Sequence, residues 1–254
     1  MLIDTHSHIY STDFNHDMDE VIQRAYSNDV RKIILPNIDS SSVKNLLDLV
    51  DTYPHICIPL MGLHPTSVTQ DYQEELQLVE YWLKKRKFYG IGEIGIDLYW
   101  DKSFLEEQIH AFRFQLDLAR QYNLPVVIHV RDSFDEVYQI LSEVKDYKLS
   151  GVFHSFSGTI EQAQMVTDLG FKIGVNGIIT FKKSGLDEVI SQIDPTNLVI
   201  ETDSPYLTPT PFRGKRNESS YLVYIAQKIA DLHHMAVGDI AKITTENARK
   251  LFGI

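Results

Sequence analysis

The sequence has almost no cysteine, no long apolar run and no visible export signal. Its 254 residues include one cysteine, Cys57, so no disulfide can form within the chain. No apolar stretch approaches the roughly 20 residues that a membrane-spanning helix needs. The start, Met1-Leu2-Ile3-Asp4, lacks the basic segment and apolar run of a secretory signal. We therefore expect a cytoplasmic protein with no membrane association, and no feature indicates an obligate protein partner.

The sequence also contains fewer basic residues than acidic ones. The chain has 24 lysines and arginines against 35 aspartates and glutamates, which gives a formal net charge of −11. A surface that covers nucleic acid broadly is normally basic, because its affinity comes from neutralising phosphates. The composition thus argues against a wide footprint on a long duplex. It is compatible with a small substrate, or with one nucleic-acid end held by a local group of cations.

The chain shows no internal repeat, no low-complexity stretch and no linker-like boundary, so we interpret residues 1–254 as a single domain. Ser103 to Tyr122 is the clearest helix, since its apolar residues recur at steps of three and four. Ser103 with Glu106, and Ser133 with Glu136, have the spacing of a capping box.

Short β-rich apolar runs alternate with such helical segments. They predict eight strands: Leu2–Thr5, Lys32–Pro36, Ile56–Gly62, Tyr89–Ile94, Val126–His129, Gly151–His154, Phe171–Val175 and Leu198–Glu201.

This alternation of strands and helices indicates parallel strands joined by right-handed crossovers. Eight such units in about 250 residues predict an α/β fold of the (β/α)8 TIM-barrel type. A doubly wound open sheet is the alternative. The Pro-rich and then basic segment Ser204–Ser220 follows the last predicted strand, so in a barrel it would lie on the catalytic face.

Histidines and acids mark the ends of the predicted strands. Parallel barrel strands deliver their carboxyl ends to one face, so residues far apart in sequence would meet there. His6 and His8, two residues apart on an extended strand, point the same way and suit a shared metal ion. Each such residue has an ordinary structural explanation by itself, but their joint placement predicts metal binding. The full set is His6, His8, His64, Glu93, His129, His154 and Asp203.

The residue types limit the metal. Imidazole mixed with carboxylate suits zinc, manganese, iron, nickel or cobalt, whereas magnesium prefers oxygen ligands. A glutamate such as Glu93 can bridge two ions, so we expect two divalent metal ions, with zinc, magnesium or manganese as candidates. Asp4 is near enough in sequence to accept a hydrogen bond from the outer nitrogen of an imidazole, but it could equally be an ordinary polar residue. The other histidines are predicted to be surface or structural residues: His16, His55, His110, His233 and His234.

Six short motifs follow one another along the chain: Asp4-Thr5-His6-Ser7-His8, Gly62-Leu63-His64-Pro65, Gly92-Glu93-Ile94-Gly95-Ile96-Asp97, Leu124-Pro125-Val126-Val127-Ile128-His129, Phe153-His154-Ser155-Phe156-Ser157-Gly158 and Glu201-Thr202-Asp203-Ser204-Pro205-Tyr206-Leu207. Together with residues 213–218 and 247–252, they closely resemble the TatD-type metal-dependent hydrolases and deoxyribonucleases of the amidohydrolase superfamily. The resemblance spans essentially the whole chain. Ser7, Ser155 and Ser219 depart from the family pattern, which often has cysteine at the first two positions and proline at the third. None of these three is a ligand position.

The resemblance implies a TIM barrel with a two-metal centre that hydrolyses phosphodiesters. One ion would be held by His6, His8 and Asp203, the other by His129 and His154, and Glu93 would bridge them. The implied activity is that of a 3′-to-5′ exonuclease on a DNA end or single-stranded nucleic acid, using water activated by the two metals.

We assign the remaining roles as hypotheses. Asp203 would accept a proton from the attacking water, and His64 would contact the phosphate or position the leaving group. Arg213, Lys215 and Arg216 would hold phosphates that do not react, with pairing to surface acids as the alternative.

The same centre would also suit a different bond. Related enzymes hydrolyse carboxylic esters or amides, including aminoacyl esters on a tRNA end, and the sequence separates these substrates poorly. Amidohydrolases that use a carboxylated lysine generally carry it on the fourth strand, where this chain has Glu93, which favours the TatD-like group. A third hypothesis is a degenerate barrel that binds metal or a partner without catalysis. The complete ligand set argues against it.

Overall fold

The computed structural model describes residues 1–145 and 148–254. Eight strands are found in these residues, and each overlaps one that the sequence pattern predicts. Their bounds are β1 Leu2–Asp4, β2 Val30–Leu35, β3 Cys57–Pro59, β4 Ile91–Asp97, β5 Val126–Arg131, β6 Gly151–Phe153, β7 Lys172–Val175 and β8 Leu198–Ile200.

Two seams close these strands into a barrel. Neighbouring strands pair in parallel, in the orders β1-β2-β3 and β4-β5-β6-β7-β8. Met61 forms a parallel bridge with Ile91 at one seam, and Ser7 forms one with Ser204 at the other. Backbone hydrogen bonds cross both seams. The predicted (β/α)8 barrel is therefore confirmed, and the alternative of an open, doubly wound sheet is wrong.

Helices surround the strands. The described residues form α1 Met18–Ser27, α2 Ser40–Thr52, α3 Tyr72–Lys85, α4 Leu105–Tyr122, α5 Phe134–Glu143, α6 Ile160–Asp168, α7 Leu186–Ile190, α8 Leu222–His233 and α9 Val237–Phe252. Helix α9 packs against β1, β8 and the 3-10 turn that precedes β8, so it covers the amino-terminal end of the barrel. Within the described ranges, none of the helices has the length and apolar character needed to cross a membrane.

Apolar side chains fill the barrel and the space outside it. Ile3, Ile34 and Val127, from three strands, form a buried cluster that includes Phe252 of α9. A larger buried cluster joins the helices to the outer sides of the strands, and Ile33 belongs to that one. Ile33 and its neighbour Ile34 fall into different clusters because successive strand residues point to opposite faces. The barrel interior is therefore a packed core, and the site must lie at its rim.

Strand β4 extends three residues beyond its predicted end, to Asp97, and all seven of its residues are buried. Gly95 permits its close pairing with β5, because its φ is +141° and a Cβ there would lie 2.0 Å from the carbonyl oxygen of His129. Glu93 therefore lies within the strand rather than at its end. Asp97 takes the end position instead.

The two predicted capping boxes are wrong. Helix α4 begins at Leu105 after Phe104, which provides no side-chain cap, and Ser103 lies outside the helix. Ser133 does precede α5, but its hydroxyl donates to the carbonyl oxygen of Ile96 at 2.6 Å. That hydroxyl therefore connects α5 to β4, and it makes no hydrogen bond to the first amides of the helix.

We expect Asn247→Ala to destabilise the fold at the amino-terminal end of the barrel. The side-chain amide of Asn247 donates to the carbonyl oxygens of Pro195 at 3.0 Å and Leu198 at 2.7 Å, and the residue is buried. Losing both bonds should lower the free energy of unfolding by about 1–3 kcal/mol, measured by urea titration. The exposed neighbour provides a control, Glu246→Ala, which should change it by less than about 0.5 kcal/mol. Equal effects of the two variants would contradict the assigned role of Asn247.

Candidate metal centre

The carboxyl end of β1 carries the first pair of imidazoles. His6 is fully buried and His8 nearly so, and their Nε2 atoms lie 3.0 Å apart. The two rings converge because alternate residues of an extended chain point the same way. The ring of His154, which follows β6, stacks on His6 with ring centroids 3.4 Å apart. Three imidazoles from two strands thus meet at one point of the rim.

Glu93 lies between this group and a second group of nitrogens. Its Oε2 is 3.0 Å from His6 Nε2 and 3.6 Å from His8 Nε2. Its Oε1 is 2.9 Å from His129 Nδ1 and 3.3 Å from His64 Nε2. The carboxylate is 2% exposed. Each of its oxygens therefore faces a different pair of imidazoles.

Asp203 completes the first group from the β8 side. Its Oδ1 lies 3.7 Å from the Nε2 atoms of His6 and His8, and 3.8 Å from His154 Nε2. The backbone N–H of Asp203 donates to the carbonyl oxygen of His6 at 2.9 Å. This bond crosses the β1–β8 seam, so barrel closure itself holds the Asp203 carboxylate beside the β1 pair.

Tyr10 determines which nitrogen of His8 faces the centre. Its hydroxyl donates to the carbonyl oxygen of Pro36 at 2.6 Å. The same oxygen lies 2.8 Å from His8 Nδ1, so it accepts the hydrogen of that nitrogen. The lone pair of His8 is therefore on Nε2, which points toward Glu93 and Asp203.

Glu201 lies beside the ring of His154. Its Oε1 lies 2.9 Å from His154 Nδ1 and accepts from the backbone N–H of Ser155 at 2.5 Å. The carboxylate is fully buried. Gly174 provides the space, since a Cβ at that position would lie 2.6 Å from Glu201 Oε2. His154 Nε2 faces the centre, 3.7 Å from Glu93 Oε1 and 3.8 Å from Asp203 Oδ1.

Asp97 orients His129 so that its Nδ1, rather than its Nε2, faces the centre. Its Oδ2 accepts from His129 Nε2 at 2.8 Å, and its Oδ1 accepts from the backbone N–H groups of Tyr99 and Trp100 at 3.0 and 3.2 Å. Asp97 is 1% exposed. With Nε2 held from behind, His129 turns Nδ1 toward Glu93, so Nδ1 is the atom available for a metal.

His64 is oriented as a donor. Its Nδ1 accepts from the backbone N–H of Thr66 at 3.1 Å, where His64 caps the 3-10 turn Pro65–Ser67. Burial lowers the pKa of His64, which favours the neutral ring, and because Nδ1 accepts from Thr66 the hydrogen of that ring is on Nε2. A protonated Nε2 has no lone pair for a metal, but it can donate to an oxygen of a substrate.

The ionisable side chains of the cluster differ widely in pKa. Burial lowers the pKa of His8 to about 4. Burial acts the same way on His154, but the charges of Glu201 and Glu93 outweigh it and raise the pKa of His154 to about 10. Burial, with the charge of Glu93, raises the pKa of Asp203 to about 7. The pKa of Glu93 is well below its usual value, because the surrounding imidazoles outweigh its burial. The centre thus contains one firmly ionised carboxylate and one that titrates near neutrality.

The converging donor atoms fit divalent cations. Nitrogen and oxygen ligands without cysteine are the set that zinc or manganese accepts. The predicted ligands converge, and His154 lies between the two groups: its Nε2 is 3.8 Å from Asp203 Oδ1 and 3.7 Å from Glu93 Oε1, the oxygen that faces His129. Their binding of metal stays a prediction. Three sets of potential ligand atoms lie within 4.8 Å of one another: His6 with His8 and Asp203, His6 with Glu93 and His154, and His64 with Glu93 and His129.

The three predicted phosphate-binding cations have different surroundings. Arg216 makes a bidentate contact with Asp17, with nitrogen–oxygen distances of 2.8 and 2.7 Å. Arg213 and Lys215 are exposed, and the Arg213 guanidinium carbon lies 3.7 Å from the centroid of the Phe181 ring. All three follow β8, on the segment expected at this face. Their binding of phosphate stays a prediction.

Tyr10, Asp97 and Glu201 are the site residues that sequence reasoning missed. Tyr10 follows His8 by two positions, a spacing that signals a shared side of an extended chain. Asp97 lacked such a signal, because its position depends on the unexpected length of β4. Glu201 could have been noticed only as an acid at the end of a predicted strand, a pattern with more than one interpretation.

Of the two roles considered for Asp4, the structure shows the second, that of a polar residue without an imidazole partner. Its carboxylate accepts from the backbone N–H of His6 and Thr202 and from the hydroxyls of Thr202 and Ser219, so it fixes the backbone rather than an imidazole.

The remaining histidines lie outside the cluster. Among them, His110 contacts the Tyr72 hydroxyl and His233 contacts the carbonyl oxygen of Ile190.

Comparison with known proteins identifies the family of this chain. The family model described as TatD related DNase matches residues 3–253. The uncharacterized metal-dependent hydrolase YabD of Bacillus subtilis is 39% identical over 255 residues, which cover all of both chains. The crystal structure of YjjV, a TatD homolog from Escherichia coli, superposes with a TM-score of 0.93 at 31% identity, covering 100% of this chain and 98% of that one.

A more distant match shows the fold alone. An amidohydrolase from Saccharomyces cerevisiae superposes with a TM-score of 0.87 at 17% identity, covering 99% of each chain. The family match over nearly the whole length, together with the rim of imidazoles around Glu93, establishes the relationship. The chain belongs to the TatD family of metal-dependent hydrolases.

Proposed function

We propose that this protein is a deoxyribonuclease that hydrolyses phosphodiesters at a DNA or single-stranded nucleic-acid end, in the manner of a 3′-to-5′ exonuclease. The observation that carries the proposal is Glu93, with one oxygen toward each of two groups of imidazole nitrogens. The description of the matching family as TatD related DNase supports a nucleic-acid substrate. The net charge of −11 favours a substrate held at one end over a wide duplex footprint.

The centre would hold two divalent ions. His6, His8 and Asp203 would hold one, His129 through Nδ1 and His154 through Nε2 would hold the other, and Glu93 would lie between them. Zinc, manganese and magnesium are the candidates, and the four imidazoles favour the first two. Two such ions stabilise charge on the phosphoryl oxygens and make a nearby water acidic enough to attack.

The chain's own groups supply the proton transfers and the positioning. Asp203 Oδ1 faces the centre, 3.7 Å from His6 Nε2, where it would accept the proton of the attacking water. The Nε2–H of His64 donates to a phosphate oxygen. Arg213 and Lys215 hold neighbouring phosphates, whereas Arg216 would first have to leave Asp17.

A second candidate function is hydrolysis of an aminoacyl ester. A cavity of about 400 Å³ adjoins His154, between the start of α5 and the segment that follows β6. Its lining includes Asp132, Asp135 and Glu136, and this negative charge would suit the ammonium group of an amino acid better than a phosphate.

The test is an activity panel on wild type and Asp203→Asn. The substrates are single-stranded DNA with a free or a blocked 3′ end, duplex DNA, a model phosphodiester and an aminoacyl ester, each with zinc, manganese and magnesium supplied. We expect wild type to shorten the free single strand, and Asp203→Asn to be slower by at least about 100-fold, because it removes a ligand and the proton acceptor. Intact phosphodiesters in every condition would refute the proposal, and ester turnover lost in the variant would favour the second candidate.

The different orientations of His154 and His64 predict different effects on metal content. We expect His154→Gln to lose about one ion per chain after dialysis, measured by elemental mass spectrometry. His64→Gln should keep the wild-type metal content yet lower kcat by roughly 100-fold, the usual effect of removing one donor to a developing negative charge. The exposed His55 provides a control, since His55→Gln should change neither quantity. Loss of metal in His64→Gln would show that His64 is a ligand.

A further inference from the structure

Two large aromatic side chains lie exposed beside the metal centre. Trp100 is 69% exposed and Tyr99 is 54% exposed, on the segment that follows β4. Their rings meet edge to face, with centroids 5.0 Å apart and planes at 89°. Burial in the core does not account for them, and as adjacent rings they form one exposed aromatic patch, whereas a single exposed aromatic would need no explanation.

The backbone under these rings is tied to a proposed metal ligand. Asp97 Oδ1 accepts from the N–H groups of Tyr99 and Trp100, while its Oδ2 accepts from His129 Nε2. One buried carboxylate therefore connects the aromatic pair to the imidazole that faces Glu93. The position of the pair relative to the reacting centre is fixed by this connection.

A cation completes the group. Arg131, the last residue of β5, places its guanidinium carbon 3.9 Å from the centroid of Tyr99 and 5.5 Å from that of Trp100. Arg131 thus covers one side of Tyr99 and leaves the more exposed Trp100 as the open surface. An open indole ring next to a guanidinium matches the two parts of a nucleotide, a flat base and an anionic phosphate.

We propose that Trp100, supported by Tyr99 and Arg131, is a stacking subsite for one unpaired base next to the cleaved phosphodiester. The inference deepens the proposed function and rests on it, because it names the substrate as a strand whose end bases are free to stack. A base paired within a duplex has its faces covered by its neighbours, so a duplex end would have to fray before it could use the subsite. Stacking accepts every base, so the subsite gives preference for single strands without preference for sequence.

The first measurement uses the fluorescence of Trp100. Trp82→Phe leaves Trp100 as the one indole in the chain. This variant is titrated with a phosphorothioate single strand that resists hydrolysis, with the same strand carrying abasic 3′-terminal residues, and with a blunt duplex. We expect saturable quenching by the first, and at least about tenfold weaker binding of the other two, since stacking on an aromatic ring contributes about this factor per base. Equal quenching by the abasic strand would overturn the inference.

The second measurement uses kinetics on an unmodified single strand. Trp100→Ala should raise KM roughly tenfold and change kcat less than about twofold, and Trp100→Phe should restore most of the affinity. Tyr81→Ala, which removes a 51%-exposed aromatic from α3, is the matched control and should leave KM unchanged. An unchanged KM in Trp100→Ala would overturn the subsite while leaving the nuclease proposal standing. Quenching without any cleavage by wild type would show that bases stack on Trp100, but it would refute the nuclease proposal and with it the position of the subsite next to a cleaved phosphodiester.

Discussion

The site depends on a single buried carboxylate whose two oxygens face different groups of imidazoles. Glu93 is 2% exposed in a fully buried strand, so its charge must be compensated by neighbours rather than by water. His6 and His8 lie on one side of it, and His129 and His64 lie on the other. The strong downward shift of its pKa follows from these contacts. A carboxylate in this position requires positive charge on both sides, whether from protons or from metal ions.

The barrel determines where these groups lie, and a surrounding layer of acceptors determines how they are turned. Closure at the β1–β8 seam holds Asp203 next to His6. Tyr10 then directs Nε2 of His8 inward, and the Glu201 carboxylate lies 2.9 Å from Nδ1 of His154. Asp97 directs Nδ1 of His129 inward instead, and His64 is held as a donor by Thr66. The chemistry available at each ring is thus decided one contact away from the centre.

The sequence predicts the fold and most of the convergence at the rim, because both follow from periodicity. Apolar runs alternating with helical segments predict all eight strands, and histidines at strand ends predict a shared face. The sequence pattern does not predict the length of β4, because that length depends on the close contact between Gly95 and a neighbouring strand. For the same reason, the sequence pattern does not predict the roles of Asp97 and Glu201. It also does not predict that Ser103 and Ser133 fail to cap their helices. Each depends on a partner supplied by tertiary packing.

The most direct test is anomalous diffraction from crystals of the manganese-loaded protein. We expect two peaks, one on each side of the Glu93 carboxylate and about 3.5–4 Å apart, with the second bound by Nδ1 of His129. His64 should make no bond to either ion. A single peak, or a second ion bound through His64 Nε2, would contradict the orientation of the imidazoles on which the proposed function rests.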